Sequence, residues 1–335
     1  MRIHDLPTPA LVLDADAFEQ NLAVMAEARP GGLLRPHVKA HKCTAIAAAQ
    51  SGHGHRTFTC ATPLEMVGMA RAGLGEDLLL ANEVIDRDRL AAVAACQDTG
   101  RMTVAVDGPE TVDAAAASGI RDVLIDVDVG LPRCGCPPSA AGRLADRARS
   151  AGLIVRGVMG YEGHLMMVLD RDEKKEKVNA AVDTLLATHA DVGGDIVSSG
   201  GTGTYEFHDR VTEVQAGSYA LMDTQYAQLE QPFSLALCVL GTVISANAQW
   251  AVLDVGLKAL GMDHGNPSVD GATVWFCSDE HLTFSPDDGG TMPAVGERVR
   301  VWPAHIDPTM AKHERVHVTQ GEDVVDVWAV DLRGW

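Results

Sequence analysis

The chain has 335 residues, which is longer than most single domains and enough for one barrel with an appended second domain. Hydrophobic residues make up 46% and charged residues 22%, values typical of a folded protein with a large core. The formal net charge is −19 and no stretch concentrates basic residues, so we predict no nucleic-acid partner and no membrane partner.

The cysteines and the first residues of the chain indicate the cellular compartment of the protein. Seven cysteines are scattered along the chain, and the odd count with wide spacing argues against a disulfide framework. The first residues show no basic-then-apolar leader, and no apolar run is long enough to span a bilayer. We therefore predict a cytoplasmic protein with reduced thiols.

Short β-rich runs alternate with helical patterns over about residues 33 to 218, which is typical of βα units around a parallel sheet. The predicted strands are Leu33–Lys39, Thr57–Ala61, Leu78–Asn82, Met102–Asp107, Val123–Asp128, Ile154–Tyr161, Ile196–Ser199 and Thr212–Ala216. Thr62, Pro63 and Glu65 form a helix start after the second strand. Eight parallel strands, each followed by a helix, predict a TIM barrel.

The pattern changes after about residue 235 to strands separated by turns rich in glycine and aspartate. These predicted strands are Cys238–Ser245, Ala251–Val255, Thr273–Cys277, Arg298–Trp302, Arg315–Thr319 and Val324–Val330. The pattern predicts an antiparallel β domain at the carboxyl end. We place the barrel at residues 8–235 and the β domain at residues 236–335 together with residues 1–7.

Lys39 stands at the end of the first predicted strand. Because the carboxyl ends of barrel strands form the usual active-site face, this amine would be partly withdrawn from water and could condense with an aldehyde. It could equally be an ordinary surface lysine beside a strand. Other strand ends favour the chemical interpretation, since Arg133 follows the fifth strand, Tyr161 ends the sixth and His164 follows it.

Glycine-rich segments follow the last two barrel strands, GGTG at 200–203 and GSY at 217–219. Glycines let backbone N–H groups approach an anion closely, and these two loops are the usual phosphate cradle of a TIM barrel. A turn that requires positive φ would explain the same glycines. Together with a lysine on the first strand, the segments suggest pyridoxal 5′-phosphate.

His305 and Asp307 form a second candidate constellation. Two residues apart in extended chain, an imidazole and a carboxylate point to the same side and can bind one cation. A nitrogen and oxygen pair completed by water suits Mn²⁺ or Mg²⁺ better than a closed zinc site. A histidine hydrogen-bonded to a nearby aspartate in a loop is the more frequent explanation of this spacing, so position in the fold has to decide.

The chain resembles the fold-type III pyridoxal-phosphate enzymes, and within them the D-threonine aldolase and D-serine dehydratase family. The likeness covers nearly the whole chain and is carried by TPALVLD at 8–14, RPHVKAHK at 35–42, GSY at 217–219, DVGLKAL at 254–260, SDEH at 278–281 and PAHIDPT at 303–309. It implies an alanine-racemase-like barrel and a homodimer. Two departures are Ala40, where threonine is frequent, and Ile306, where cysteine is frequent.

The resemblance also implies roles for single residues. Lys39 would carry the cofactor as a Schiff base, and Arg133 would contact its phenolic oxygen. His305 and Asp307 would hold the metal, with His164 beside metal and substrate. Further cofactor contacts are expected from Tyr161, Gly200, Gly201, Thr202, Gln215, Gly217, Ser218 and Tyr219, with Gln215 assigned to the pyridine nitrogen by alignment alone.

We predict retro-aldol cleavage of D-threonine and related D-β-hydroxy amino acids, because Asp307 stands where dehydratase members carry a cysteine. Two alternatives stay open within the family: an aldolase of 3-hydroxy-D-aspartate, and a β-eliminating dehydratase of D-serine or 3-hydroxy-D-aspartate. A non-catalytic pyridoxal-phosphate carrier would lack the β domain and the His-x-Asp pair. A cofactor-free metal hydrolase on a TIM barrel is a more distant alternative.

Overall fold

A computed structural model describes residues 1–334. In chain order its strands are β1 Ala10–Asp14, β2 Thr57–Cys60, β3 Asp77–Leu80, β4 Arg101–Val106, β5 Asp122–Asp126, β6 Ile154–Met159, β7 Ile196–Ser199, β8 Glu213–Val214, β9 Leu237–Ala246, β10 Ala251–Leu253, β11 Ser268–Val269, β12 Ala272–Cys277, β13 Leu282–Pro286, β14 Arg298–Trp302, β15 Arg315–Gln320 and β16 Asp323–Ala329. The α-helices are α1 Ala15–Ala28, α2 Thr44–Gly52, α3 Pro63–Arg71, α4 Arg87–Ala94, α5 Pro109–Ala117, α6 Pro138–Ser150, α7 Arg171–Val192 and α8 Ile306–Lys312. Among the described residues, no helix combines the length and apolarity needed to cross a bilayer.

The chain divides into two compact units. The barrel unit comprises residues 25–39, residues 46–217 and the end of the chain from Leu332. The β unit comprises residues 1–24, 40–45 and 218–331. The units therefore do not follow a single cut near residue 235, because early and late segments of the chain fold together in the β unit.

Strands β2 to β8 form a parallel sheet in sequential order. The sheet is closed by residues 34–37, because Leu34 bridges to Val214 in β8 and His37 bridges to Thr59 in β2, both in parallel. Eight parallel segments thus complete the barrel, and the predicted fold is confirmed. The predicted helix start is also present: Pro63 opens α3, and the hydroxyl of Thr62 accepts from the N–H of Glu65 at 3.2 Å.

The first barrel segment is shorter than the predicted strand over 33–39. Pro36 has no N–H to donate to a neighbouring strand, and a 3₁₀ turn over Val38–Ala40 follows it. Lys39 therefore lies in the turn directly after the segment, where it is half-buried. Its N–H lies 3.4 Å from Nδ1 of His37.

Charged side chains at the amino ends of the strands pair with one another inside the barrel unit. Arg35 is 2% exposed and donates to Glu213 at 2.8 Å and to Asp77 at 3.1 Å. Arg156 also donates to Asp77, at 2.5 Å. This end of the barrel is therefore filled by a closed ionic network, which stabilises the strands and leaves the opposite end for chemistry.

The β unit contains a nine-stranded sheet in the order β10-β13-β12-β11-β14-β9-β1-β15-β16. All neighbours are antiparallel except β1 and β15, which are parallel. The sequence patterns predicted six of these strands and missed β1, β11 and β13. Strand β1 is central rather than peripheral, since it lies between β9 and β15.

Candidate active site

Loops after β5, β6 and β7 bring three predicted residues together in the barrel unit. The guanidinium of Arg133 lies 5.3 Å from the centroid of the Tyr161 ring. A Cβ placed on Gly201 would lie 3.5 Å from Cε2 of the same ring and 3.0 Å from Sδ of Met166. A side chain at position 201 would therefore crowd Met166 and contact the Tyr161 ring, so the glycine keeps this backbone open to close approach.

The imidazole of His164 packs over Gly130, which lies in the same loop as Arg133. Gly130 has a φ of 115°, and a Cβ there would lie 3.1 Å from Cε1 of His164. His164 itself is exposed, in the 3₁₀ turn Gly163–Leu165. The contact holds one face of an otherwise accessible imidazole.

Glu162 lies between Tyr161 and His164 in sequence, and sequence analysis gave it no role. Its side chain is completely buried. Oε1 accepts from Oγ1 of Thr204 at 2.6 Å and from Nε2 of His208 at 2.8 Å. Oε2 accepts from Oγ of Ser199 at 3.0 Å and from the N–H of Gly200 at 3.3 Å.

Burial by itself would raise the pKa of Glu162, but the neighbouring His208 and the hydroxyl of Thr204 hold this pKa at about 2. The group is therefore a carboxylate at neutral pH. The one signal available in the sequence was an acidic residue directly after a barrel strand, in a loop that also carries candidate catalytic residues.

The glycines after β7 are already engaged with protein groups. The N–H of Gly200 donates to Glu162, and the N–H of Gly201 donates to Oγ1 of Thr204 at 3.3 Å. Gly200 has a φ of 83°, and a Cβ there would lie 2.7 Å from Cδ2 of His208. At Gly200 the structure thus shows the turn with positive φ that was the alternative explanation. Thr202, two residues after Gly200, is buried.

The first and eighth barrel segments end side by side. The N–H of His37 donates to the carbonyl of Ala216 at 3.1 Å. Lys39 and Gly217 lie just beyond this contact on their respective segments, so the structure brings these two predicted residues to neighbouring strand ends. The side-chain nitrogen of Gln215 donates to Oγ of Ser198 at 2.8 Å.

An acidic cluster that sequence analysis missed lies after β3, β4 and β5. Oxygens of Glu83 and Asp107 and the sulfur of Cys134 all lie within 4.8 Å of one another. Asp126, the last residue of β5, is 6% exposed. Burial, together with Glu83 and Asp107, raises its pKa well above the ordinary value, against a smaller opposing effect of Arg133. Burial and Glu83 also raise the pKa of the Cys134 thiol to about 12.

In the β unit, His305 and Asp307 lie close together but not in extended chain as predicted. His305 has extended backbone, with φ −144°, whereas Asp307 is already in the first turn of α8. Pro308 is compatible with this first turn because the missing N–H would have no helical partner there. Nε2 of His305 lies 4.0 Å from Oδ1 of Asp307, so the pair can still face one cation.

Further side chains fix this pair. Nδ1 of His305 lies 2.7 Å from Oδ2 of Asp263, and the ring of His264 stacks on that of His305 with centroids 3.9 Å apart. Oγ of Ser218 donates to Oδ1 of Asp307 at 3.3 Å. Donor atoms of Asp263, His264 and His305 all lie within 4.8 Å of one another, so these three residues also offer a nitrogen and oxygen set that could hold a metal ion.

This region also contains two residues without a predicted role, Asp263 and His264, and one predicted cofactor residue, Tyr219. Sequence analysis missed Asp263 and His264 as neighbours of the metal pair, because they lie 42 and 41 residues before His305 in a segment that has only turn character. Tyr219 is fully buried in the β unit, with its ring centroid 5.7 Å from that of Phe233.

Comparison with known proteins identifies the family. The alanine racemase N-terminal domain matches residues 13–225, and a serine dehydratase domain matches residues 236–319. The chain is 34% identical to D-threonine aldolase of Arthrobacter sp., over 98% of this chain and 93% of that protein. The chain belongs to the D-threonine aldolase and D-serine dehydratase family. The predicted family is confirmed.

Other members of the D-threonine aldolase and D-serine dehydratase family are similar over the same length. The 3-hydroxy-D-aspartate aldolase of Paracoccus denitrificans (strain Pd 1222) is 31% identical, over 98% of this chain and 93% of that protein. The crystal structure of D-threonine aldolase from Filomicrobium marinum has a TM-score of 0.93 and 34% identity, covering 100% of this chain and 97% of that one. D-threo-3-hydroxyaspartate dehydratase from Delftia sp. HT23 has a TM-score of 0.85 and 26% identity, with complete coverage of both chains.

Proposed function

We propose that this protein is a carbon–carbon lyase that depends on pyridoxal 5′-phosphate and a divalent metal, and that it cleaves D-threonine and related D-β-hydroxy amino acids to glycine and an aldehyde. Likeness to D-threonine aldolases over 98% of the chain supports the reaction class. Within the family, the choice of aldolase rests on the carboxylate of Asp307, 4.0 Å from Nε2 of His305.

The barrel unit offers groups that fit the cofactor. Lys39 is half-buried directly after the first barrel segment, and its amine would hold the cofactor covalently. Arg133, stacked on Tyr161, would face the phenolic oxygen, and the open backbone at Gly201 would lie near the phosphate. Once bound, the cofactor supplies a ring that withdraws the negative charge left on Cα when the Cα–Cβ bond breaks.

Proton transfer from the β-hydroxyl is assigned to His164. Its imidazole is exposed, and one face is held against Gly130, so it can accept a proton without moving far. A cation at His305 and Asp307 supplies positive charge that favours the ionised hydroxyl. Asp263 keeps the Nδ1 side of His305 occupied, which leaves Nε2 to face the cation.

Replacement of the candidate lysine tests the proposal. We expect Lys39→Ala to abolish release of glycine and acetaldehyde from D-threonine in the presence of Mn²⁺, and to remove the visible absorbance of the covalently bound cofactor. Lys177→Ala, at an exposed position on α7, is the matched control and should retain both. Wild-type turnover by the Lys39→Ala variant would refute the assignment.

The second candidate is an aldolase of 3-hydroxy-D-aspartate, favoured by the 31% identity to the Paracoccus enzyme. It would release glyoxylate together with glycine. A dehydratase would instead release ammonia and a 2-oxo acid, so product analysis with D-threonine and 3-hydroxy-D-aspartate separates all three activities.

Three properties complete the proposal: Mn²⁺ or Mg²⁺ as the metal, a homodimer, and a cytoplasmic location. All seven cysteines are free, as a reducing compartment would require. Metal analysis of the purified protein tests the first property, and light scattering during gel filtration tests the second. Cell fractionation tests the third.

A further inference from the structure

Two loops of the barrel unit carry most of the residues assigned to the cofactor and the proton transfer. Loop 6 is residues 160–168, after β6, and contains Tyr161 and His164. Loop 7 is residues 200–208, after β7, and contains Gly201 and Thr202. Two buried charged side chains of opposite sign, Glu162 and Lys174, make polar contacts between these loops.

Glu162 connects loop 6 to β7 and loop 7 through hydrogen bonds that use both carboxylate oxygens. One oxygen faces Thr204 and His208, and the other faces Ser199 and Gly200, at 2.6 to 3.3 Å. Thr204, His208 and the N–H of Gly200 donate to the carboxylate. The hydroxyl of Ser199 also donates to the carbonyl of Gly160 at 2.7 Å, so it shares its one hydrogen between that oxygen and Glu162. A carboxylate accepts all of these contacts, whereas an amide would turn its NH₂ either toward Thr204 and His208 or toward the N–H of Gly200.

His208 is completely buried, and its Nδ1 has no hydrogen-bond partner in the part of the chain that the structure describes. Nε2 carries a hydrogen toward the accepting oxygen of Glu162. Arg29, directly after α1, secures the same segment, since its guanidinium donates to the carbonyls of His208 at 3.1 Å and Tyr205 at 2.6 Å.

Lys174 joins the same two loops by the opposite kind of contact. It lies in the first turn of α7 and is 4% exposed. Its ammonium group donates to the carbonyl of Met166 in loop 6 at 3.0 Å and to that of Gly203 in loop 7 at 3.1 Å. Glu162 thus accepts hydrogen bonds and Lys174 donates them at one junction, the contact between loops 6 and 7.

We infer that Glu162 is a positioning residue: with Lys174 it locks loops 6 and 7 into one preformed surface, which holds Tyr161, His164 and Gly201 in place before the cofactor binds. The inference rests on the proposed function for the roles of those three residues. Its physical basis is that a rigid surface binds without a cost of ordering, and that displacement of reacting groups by about 1 Å can cost about a hundredfold in rate.

The test measures the dissociation constant of pyridoxal 5′-phosphate by titrating the cofactor-free protein, and then kcat and KM for D-threonine at saturating cofactor. For Glu162→Gln we expect the cofactor dissociation constant to rise at least about tenfold and kcat to fall about ten- to a hundredfold, with a smaller change in KM. Glu176→Gln, at an exposed position on α7, is the matched control and should match the wild type.

Two further variants keep the test decisive if Glu162→Gln fails to fold. Thr204→Val removes one donor to Glu162 and the acceptor of the Gly201 N–H, and it keeps the buried carboxylate with His208. We expect a rise of about threefold in the dissociation constant. Lys174→Met should also raise the dissociation constant of the cofactor. In the Thr204→Val/Lys174→Met double variant the two effects should be less than additive, because both substitutions weaken the same contact between loops 6 and 7.

A folded variant with a lowered melting temperature but wild-type cofactor affinity and kcat would overturn the inference, because Glu162 would then only stabilise the fold. Cofactor binding does not depend on the identity of the substrate. Failure of the aldolase assignment would therefore appear in the product analysis and leave the result of this titration interpretable.

Discussion

Two buried carboxyl groups stand at the same end of the barrel and have opposite protonation preferences. Asp126 ends β5, and Glu162 follows β6 by three residues. Burial raises the pKa of both groups, yet the pKa of Glu162 is about 2 while that of Asp126 lies well above its ordinary value. The difference lies in the neighbours, because Glu162 faces only donors and Asp126 faces Glu83 and Asp107.

Glu162 is therefore a charged group that holds neighbouring segments together, whereas Asp126 is a buried group that favours its neutral form. The carboxylate of Glu162 gathers backbone and side-chain donors from several segments and so fixes loops. Asp126 favours its neutral form, so it cancels little of the charge of Arg133. Under the proposed function, Arg133 is then available to the anionic oxygen of the cofactor.

The largest expected effect comes from neutralising the organising charge. Glu162→Gln breaks a buried, hydrogen-bonded pair and should lower the free energy of unfolding near neutral pH by about 3 to 5 kcal/mol. The folded pKa is depressed from 4.5 to about 2, so the stabilisation is present above the unfolded value and lost as pH falls through this range. In urea unfolding, the difference in free energy of unfolding between Glu162→Gln and the wild type should therefore shrink between about pH 7 and about pH 3. A free-energy difference that does not change with pH would contradict the depressed pKa of Glu162.

An exposed carboxylate extends the comparison to the β unit. Asp263 faces Nδ1 of His305 at 2.7 Å, and Asp263→Asn should weaken binding of Mn²⁺ by about ten- to a hundredfold, because the imidazole loses the group that orients it. Calorimetric titration of the metal-free protein with Mn²⁺ measures this. Asp288→Asn, at an exposed position in the same unit, should bind as the wild type does.

The smallest effect should come from the suppressed charge, and with the opposite sign. The pKa of Asp126 is raised on folding, so its contribution to stability is complete below the unfolded value and is lost as pH rises toward the folded one. Asp126→Asn cannot lose that proton, so its melting temperature should gain on that of the wild type as the pH rises above 3.8, the ordinary pKa of the carboxyl group.

Asp128→Asn, two residues further on and exposed, is the control for this series and should show a constant difference. If the difference in melting temperature between Asp126→Asn and the wild type also stays constant with pH, the carboxyl at position 126 is ionised throughout. The contrast with Glu162 then fails.

Much of the barrel could be predicted from sequence because its signals are local. Alternating β and helical runs gave all eight barrel segments, and Thr62 with Pro63 marked the start of α3 correctly. Local patterns were less informative where proline intervened. Pro36 shortened the first segment, and Pro308 lies in the first turn of a helix that the extended interpretation of His305 and Asp307 did not include.

By itself the sequence determined the order of the barrel strands, the family, and the location of Lys39 at the carboxyl end of the first barrel segment, since periodicity and short motifs require only neighbours in the chain. Tertiary structure alone decided that β1 pairs with β9 and β15, more than 200 residues away, and that Glu162 meets donors from four other positions. It also decided that Asp263 faces His305. The partner of a polar group, and hence its charge, depends on which distant segments pack against it, and no local pattern encodes that packing.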